Sequence, residues 1–135
     1  MGAWGVDILE NDAAQDFIAA ILDEKNLGMI EEAIDRVLRA GDDEVEAPDA
    51  EEAIAAVDII ARLLQRDEDD EIEEGDELAE WVSACEEEPN DVLVENARKA
   101  LERILTDPSE LLELWQESDD FETWERAVRA LQQSL

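Results

Sequence analysis

The sequence predicts an all-α protein: a compact bundle of six or seven short helices that follows an extended N-terminal lead-in. Three observations predict this class. Apolar residues recur at helical spacing through most of the chain. The periodic segments stop at Asn, Gly, Pro or Asp. No segment after the first eight residues alternates as a strand does. The chain has 135 residues, a length typical of one domain, so we expect a single acidic helical domain over residues 1–135.

The first part of the chain predicts a lead-in and two helices. Glycines flank Trp4 without any helical period, which is typical of an extended segment. Asn11 or Asp12 is the expected cap of the first helix, because both side chains accept backbone hydrogen bonds at helix starts. Asn26 and Gly28 are expected to stop that helix. The second helix is expected over residues 29–40, with Gly41 at its end.

The third helix is predicted to be the central one. Pro48 and Asp49 are expected to open it, and its apolar residues, which include Leu64, lie on nearly all sides. A helix that is apolar all round is buried. Asp58 interrupts this apolar segment, and Arg62 follows four residues later, the spacing of a helical ion pair. We interpret the two as a half-buried pair; the alternative is a functional acid in a groove that faces a partner.

Four further helices are expected in the second half of the chain. Asp76 is the expected cap of the fourth, which carries Cys85 on its inward face. Pro89 and Asn90 break the chain before a fifth helix that begins at Asp91. Residues 106–108 separate it from a short sixth helix, and residues 118–120 start the seventh.

The charge excludes several classes of partner. There are 41 acidic residues against 10 basic ones, a formal net charge of −31. Phosphates would be repelled, so direct nucleic-acid binding and an anionic membrane surface are disfavoured. No apolar run approaches the ~20 residues of a membrane span. Cys85 has no second cysteine to pair with, and the first ten residues do not have the pattern of a signal peptide. We therefore expect a cytoplasmic protein with a basic protein partner.

The sequence contains no recognisable catalytic or cofactor motif, so we expect a protein that is not an enzyme. Histidine is absent, which excludes Ser-His and Cys-His catalysis. The acidic run also fails as a calcium loop, because Ile72 and Leu78 stand at the sixth and twelfth positions counted from Asp67, where glycine and glutamate are required. The run is interpreted as a solvated loop or as a docking surface for a basic partner, with candidate residues Asp67, Glu68, Asp69, Asp70, Glu71, Glu73 and Glu74.

Carboxylates on the second and third helices suggest one less favoured enzyme class. Helical magnesium-dependent pyrophosphohydrolases place several acids on facing helices, where metal ions hold phosphates. Few lysines are available to support such a site, because the chain has only Lys25 and Lys99. The carboxylates concerned are Glu31, Glu32, Asp35, Glu51, Glu52 and Asp58.

Motifs at the two ends of the chain resemble a known family. The opening Gly2-Ala3-Trp4-Gly5 and the later Glu10-Asn11-Asp12-Ala13-Ala14, with Leu114-Trp115 and Phe121-x-x-Trp124 near the end, are similar to the bacterial family catalogued as domain of unknown function 4259. The resemblance implies a small domain with no assigned activity and supplies no catalytic residues. We interpret its motif residues as structural: Gly2, Trp4, Gly5, Asn11, Asp12, Trp115 and Trp124.

Three functions remain open from the sequence. The favoured one is an acidic interaction protein, such as an inhibitor or immunity protein, that covers the basic face of a nuclease-like or nucleic-acid-binding partner. The second is a protein whose acidity only adapts it to salt or keeps it soluble. The third is the metal-dependent carboxylate hydrolase acting on nucleotides. Oligomeric state is open as well.

Overall fold

The computed structural model describes residues 12–23, 27–41, 43–65, 77–84 and 88–135. These ranges form seven helices and no strand, which confirms the all-α prediction. The predicted N-terminal lead-in, the acidic run at 67–74 and Cys85 lie outside the described residues. In chain order the helices are α1 (Asp12–Ile21), α2 (Gly28–Leu38), α3 (Ala47–Gln65), α4 (Glu77–Ala84), α5 (Asp91–Ile104), α6 (Glu110–Gln116) and α7 (Phe121–Gln133).

Helix α3 is the centre of the bundle, as predicted. It contacts each of the other six helices. Every residue from Ala53 to Ala61 is buried, including both Ile59 and Ile60. Small alanine side chains on several sides of α3 let its neighbours approach closely, while the isoleucines fill the space between them. None of the helices in the described ranges is long and apolar enough to cross a membrane.

Short polar signals end or begin several helices as the sequence predicts. The side chain of Asn90 accepts a hydrogen bond from the Leu93 amide at 2.8 Å and caps α5. Gly41 follows α2 with φ of +56°, a left-handed conformation that strains other residues. The predicted start of α7 at residues 118–120 is close to the observed start at Phe121, although Asp120 makes no side-chain cap bond.

Three predictions about the helices are wrong. Gly28 does not stop the first helix; it is the first residue of α2. Helix α3 begins at Ala47, before Pro48, because a distant glutamate caps it there. Leu64 does not join the core: it is 40 % exposed, since it lies in the last turn of α3, where the helix ends beside the first half of α5.

The loop between α2 and α3 is held against the end of α5 and the start of α6. Val45 and Ser109 form an isolated parallel bridge: Val45 N donates to Pro108 O, and Glu110 N donates to Val45 O. Arg103 at the end of α5 donates to the carbonyl oxygens of Gly41, Asp43 and Thr106. Charge-assisted bonds of this kind are stronger than neutral ones. These bonds hold the loop between α2 and α3 against the rest of the bundle.

Candidate functional site

The aromatic residues of the C-terminal motif form one cluster. Trp124 of α7 is 1 % exposed, and its indole stacks on that of Trp115 with ring centroids 5.6 Å apart and planes 8° from parallel. Phe121 lies 6.2 Å from the Trp124 ring in a tilted arrangement. The stack joins α6 to α7 across the short turn between them. Such a geometry is what a structural interpretation of Trp115 and Trp124 requires.

Asp58 forms the ion pair that the spacing predicts. Arg62 Nε donates to Asp58 Oδ2 at 2.8 Å. The pair is more asymmetric than expected, because Asp58 is 2 % exposed while the Arg62 side chain is partly open to solvent. Burial raises the pKa of the Asp58 carboxyl above its ordinary value of 3.8, although the charge and hydrogen bond of Arg62 act in the opposite direction. The charge and hydrogen bond of Arg62 therefore offset part of the cost of burying the Asp58 carboxylate.

Two of the acids that suggested a metal-dependent hydrolase, Glu32 and Glu52, form ion pairs with one arginine. Arg36 of α2 lies 3.4 Å from Glu32, 3.7 Å from Asp49 and 2.8 Å from Glu52, so its guanidinium occupies the space between the α2 and α3 carboxylates. Asp58 is engaged separately by Arg62. Within the described ranges, no group of three or more histidine, cysteine, aspartate or glutamate side chains is placed to hold a metal ion.

Four carboxylates gather where the bridged loop meets α6. We call Glu44, Asp107, Glu110 and Glu113 the acidic corner. A hydrogen bond with Glu44 raises the pKa of Glu113, and the negative charges of Glu44, Asp107 and Glu110 raise it further. Like charges crowded in this way bind a proton, or a cation from outside, more readily than isolated acids do. Sequence analysis missed the corner, because its members are up to 69 residues apart and only the loop bridge brings them together.

Glu110 links the acidic corner to the central helix. Its Oε1 accepts a hydrogen bond from the Ala47 amide at 2.8 Å, so a side chain from 63 residues away acts as the cap of α3. A negative group at this position also interacts favourably with the helix dipole. No local motif could reveal this cap, since Glu110 lies 63 residues from Ala47 in the sequence.

We expect Glu110→Ala to lower the free energy of unfolding by about 1 kcal/mol, because the Ala47 amide loses its partner. Glu110→Gln is the matched control: it keeps the acceptor oxygen and removes one repulsive charge from the corner. Its stability should stay within about 0.5 kcal/mol of wild type. Urea unfolding of both variants measures the difference. If Glu110→Ala and Glu110→Gln lower the free energy of unfolding equally, Glu110 stabilises the protein through its charge and not by capping α3.

Several arginines of the described chain serve the fold itself. Arg98 donates to the carbonyl oxygen of Leu135 and lies 3.8 Å from Glu95, and Arg129 lies within 4 Å of Glu102 and Glu125. Arg36, Arg62 and Arg103 bridge the elements described above. These five arginines therefore engage groups of the chain itself. With 41 acidic residues against 10 basic ones, the protein keeps a strongly negative net charge.

Comparison with known proteins gives one match. The model of a family described as "Domain of unknown function (DUF4259)" matches residues 2–127. No curated protein and no solved structure matches the chain. The matched region includes every described helix except the last turns of α7, and it contains both motifs on which the resemblance was based. The chain therefore belongs to the DUF4259 family.

Proposed function

We propose that this protein is an acidic interaction module, of the inhibitor or immunity type, that covers the basic face of a nuclease-like or nucleic-acid-binding protein in the cytoplasm. One observation carries the proposal: a net charge of −31 on a chain whose arginines Arg36, Arg62, Arg98, Arg103 and Arg129 are engaged in internal bridges. A nucleic-acid-binding face is a surface of Arg and Lys that is adapted to regularly spaced negative charge.

Electrostatic complementarity acts first on the rate of encounter. Opposite potentials steer two proteins together and raise the association rate constant by one to three orders of magnitude at low ionic strength. The acidic corner supports this role, because the negative charges of Glu44, Asp107 and Glu110 all act on Glu113. A guanidinium or ammonium group from a partner would relieve the same repulsion.

The test is binding to a basic nuclease, with an acidic protein of similar size as the negative partner. We expect association only with the nuclease, a fall in affinity as salt increases, and displacement by duplex DNA. A variant with Glu44→Gln, Asp107→Asn and Glu113→Gln in the acidic corner should associate about tenfold more slowly. Its matched control carries Glu44→Asp, Asp107→Glu and Glu113→Asp, which preserve every charge, and should associate like wild type.

The alternative, in which the acidity only adapts the protein to salt or keeps it soluble, predicts a different effect of salt on binding and stability. If the charge serves only solubility in a salty medium, no basic partner is retained at any ionic strength, and the free energy of unfolding rises steeply from low to molar salt as self-repulsion is screened. Absence of binding to basic proteins together with that rise would overturn the proposal. Binding that is insensitive to salt and to DNA would overturn it as well.

A further inference from the structure

Two depressions flank the first half of α5. One has a volume of about 450 Å³ and is lined by the end of α3, by α5 and by Leu135; the other, of about 200 Å³, lies between α2 and α5. Val92 of α5 lines the second depression. We call this region the α5 surface. Its lining residues that matter below are Leu64, Val92 and Val94, which are apolar, and Glu31, Asp91 and Glu95, which are acidic.

Two large apolar side chains of the α5 surface are exposed to solvent. Val92 is 68 % exposed and Leu64 is 40 % exposed. They come from different helices, and each lies at the edge of a depression. The half-buried Val94 and Leu135 continue the apolar floor beside Leu64. Exposed apolar residues that occur singly are ordinary on any surface, whereas three of these four line one depression and Val92 lines the other, beside the same half of α5.

Acidic side chains line both depressions. Asp91 and Glu95, one turn apart on α5, line the first depression, and Glu31 and Asp35 of α2 line the second. All four are exposed. Arg98 also lines the first depression, where it donates to Leu135 and lies 3.8 Å from Glu95, so this rim holds two acids and one base and keeps a net negative charge. An apolar centre with a charged rim is the usual anatomy of a protein-binding surface.

We propose that the α5 surface docks a helix of a basic protein, whose apolar side chains enter the two depressions while its Arg or Lys side chains pair with the acidic rim. This inference rests on the proposed function and adds the place of contact. Charge selects the occupant: a second copy of this chain would set two acidic rims face to face, which repel. Helix-in-groove docking uses apolar anchor side chains spaced along one helix face, and the two depressions provide two places where such side chains can bind.

Two synthetic peptides test the proposal. One is an amphipathic helix with leucines on one face and lysines on the other; its counterpart has the same lysines with serine at every leucine position. We expect wild type to bind the leucine peptide at least about tenfold more tightly at physiological ionic strength. Leu64→Ser with Val92→Ser should reduce that binding to the level of the serine peptide. Val92→Ser alone, on a largely exposed residue, should give an intermediate loss without affecting the fold.

Leu114→Ser is the matched control, because Leu114 is also exposed but belongs to α6. It should leave both affinities unchanged, and amide shifts on binding should concentrate in residues 91–98. Equal affinity for the two peptides, or equal losses from Leu114→Ser and Val92→Ser, would overturn the docking site while leaving the acidic interaction function in place. Failure of both peptides to bind would count against the docking site and the proposed function together.

Discussion

Trp124→Ala is expected to lower the free energy of unfolding by about 3–5 kcal/mol, the largest effect of any single change considered for this protein. Trp124 is fully buried and joins α7 to α6 through its stack on Trp115. Truncation removes the transfer free energy of the indole and leaves a cavity that the surrounding helices fill only in part. Guanidinium unfolding followed by far-UV circular dichroism measures the loss.

Comparing Trp115→Ala with Trp124→Ala separates the contribution of burial to stability from the contribution of ring stacking. Trp115 is only half-buried, so its removal should cost about 1–2 kcal/mol. Guanidinium unfolding of both variants gives the comparison. If Trp115→Ala destabilises as much as Trp124→Ala, the aromatic cluster does not have the role assigned to it.

Arg62→Met is expected to lower stability by about 2 kcal/mol at neutral pH, because it leaves the Asp58 carboxylate buried without its cation. The figure is below the usual range for a broken buried pair, since Arg62 is partly exposed and water can reach its side of the pair. Arg36→Met is the matched control. It also removes one positive charge, but its carboxylate partners are at least partly exposed, so it should cost at most about 1 kcal/mol.

The pH dependence of the Arg62 variant follows from the raised pKa of Asp58. A carboxyl whose pKa is higher in the folded state binds its proton more tightly there, so protonation favours folding and this contribution increases as pH falls. Without Arg62 the pKa rises further, and the deficit of Arg62→Met should shrink as pH falls from neutral toward the ordinary value of 3.8. A double variant, Asp58→Leu with Arg62→Met, should recover most of the loss at neutral pH. A deficit that is independent of pH would refute this account.

The helices could be predicted from the sequence because their signals are local. Apolar spacing identified α3 as the central helix, and Asn90 and Gly41 marked ends where the structure has them. Asp58 and Arg62 were predicted to pair because four residues of one helix set their distance. The start of α3 was misplaced for the converse reason: its cap is Glu110, which no window around Ala47 contains.

The exposure of Leu64 shows a second reason why the sequence alone could not predict the whole structure. Periodicity places Leu64 among the apolar residues of α3, but it does not tell where the neighbouring helices stop covering that helix. Only the packing of α5 and the position of Leu135 leave the last turn open. The α5 surface could therefore not be predicted from the sequence, because its residues come together only when the helices pack.

Composition and spacing along the chain were enough to establish an all-helical fold, its central helix and an excess of negative charge. Tertiary structure decided which charges meet. It placed Arg36 between carboxylates of α2 and α3, brought Glu44 into the acidic corner with Glu113, and placed Leu64 and Val92 at two depressions lined by acidic residues. The physical reason is range: helix formation depends on neighbours a few residues away, whereas electrostatic and apolar surfaces are built from residues that only folding brings together.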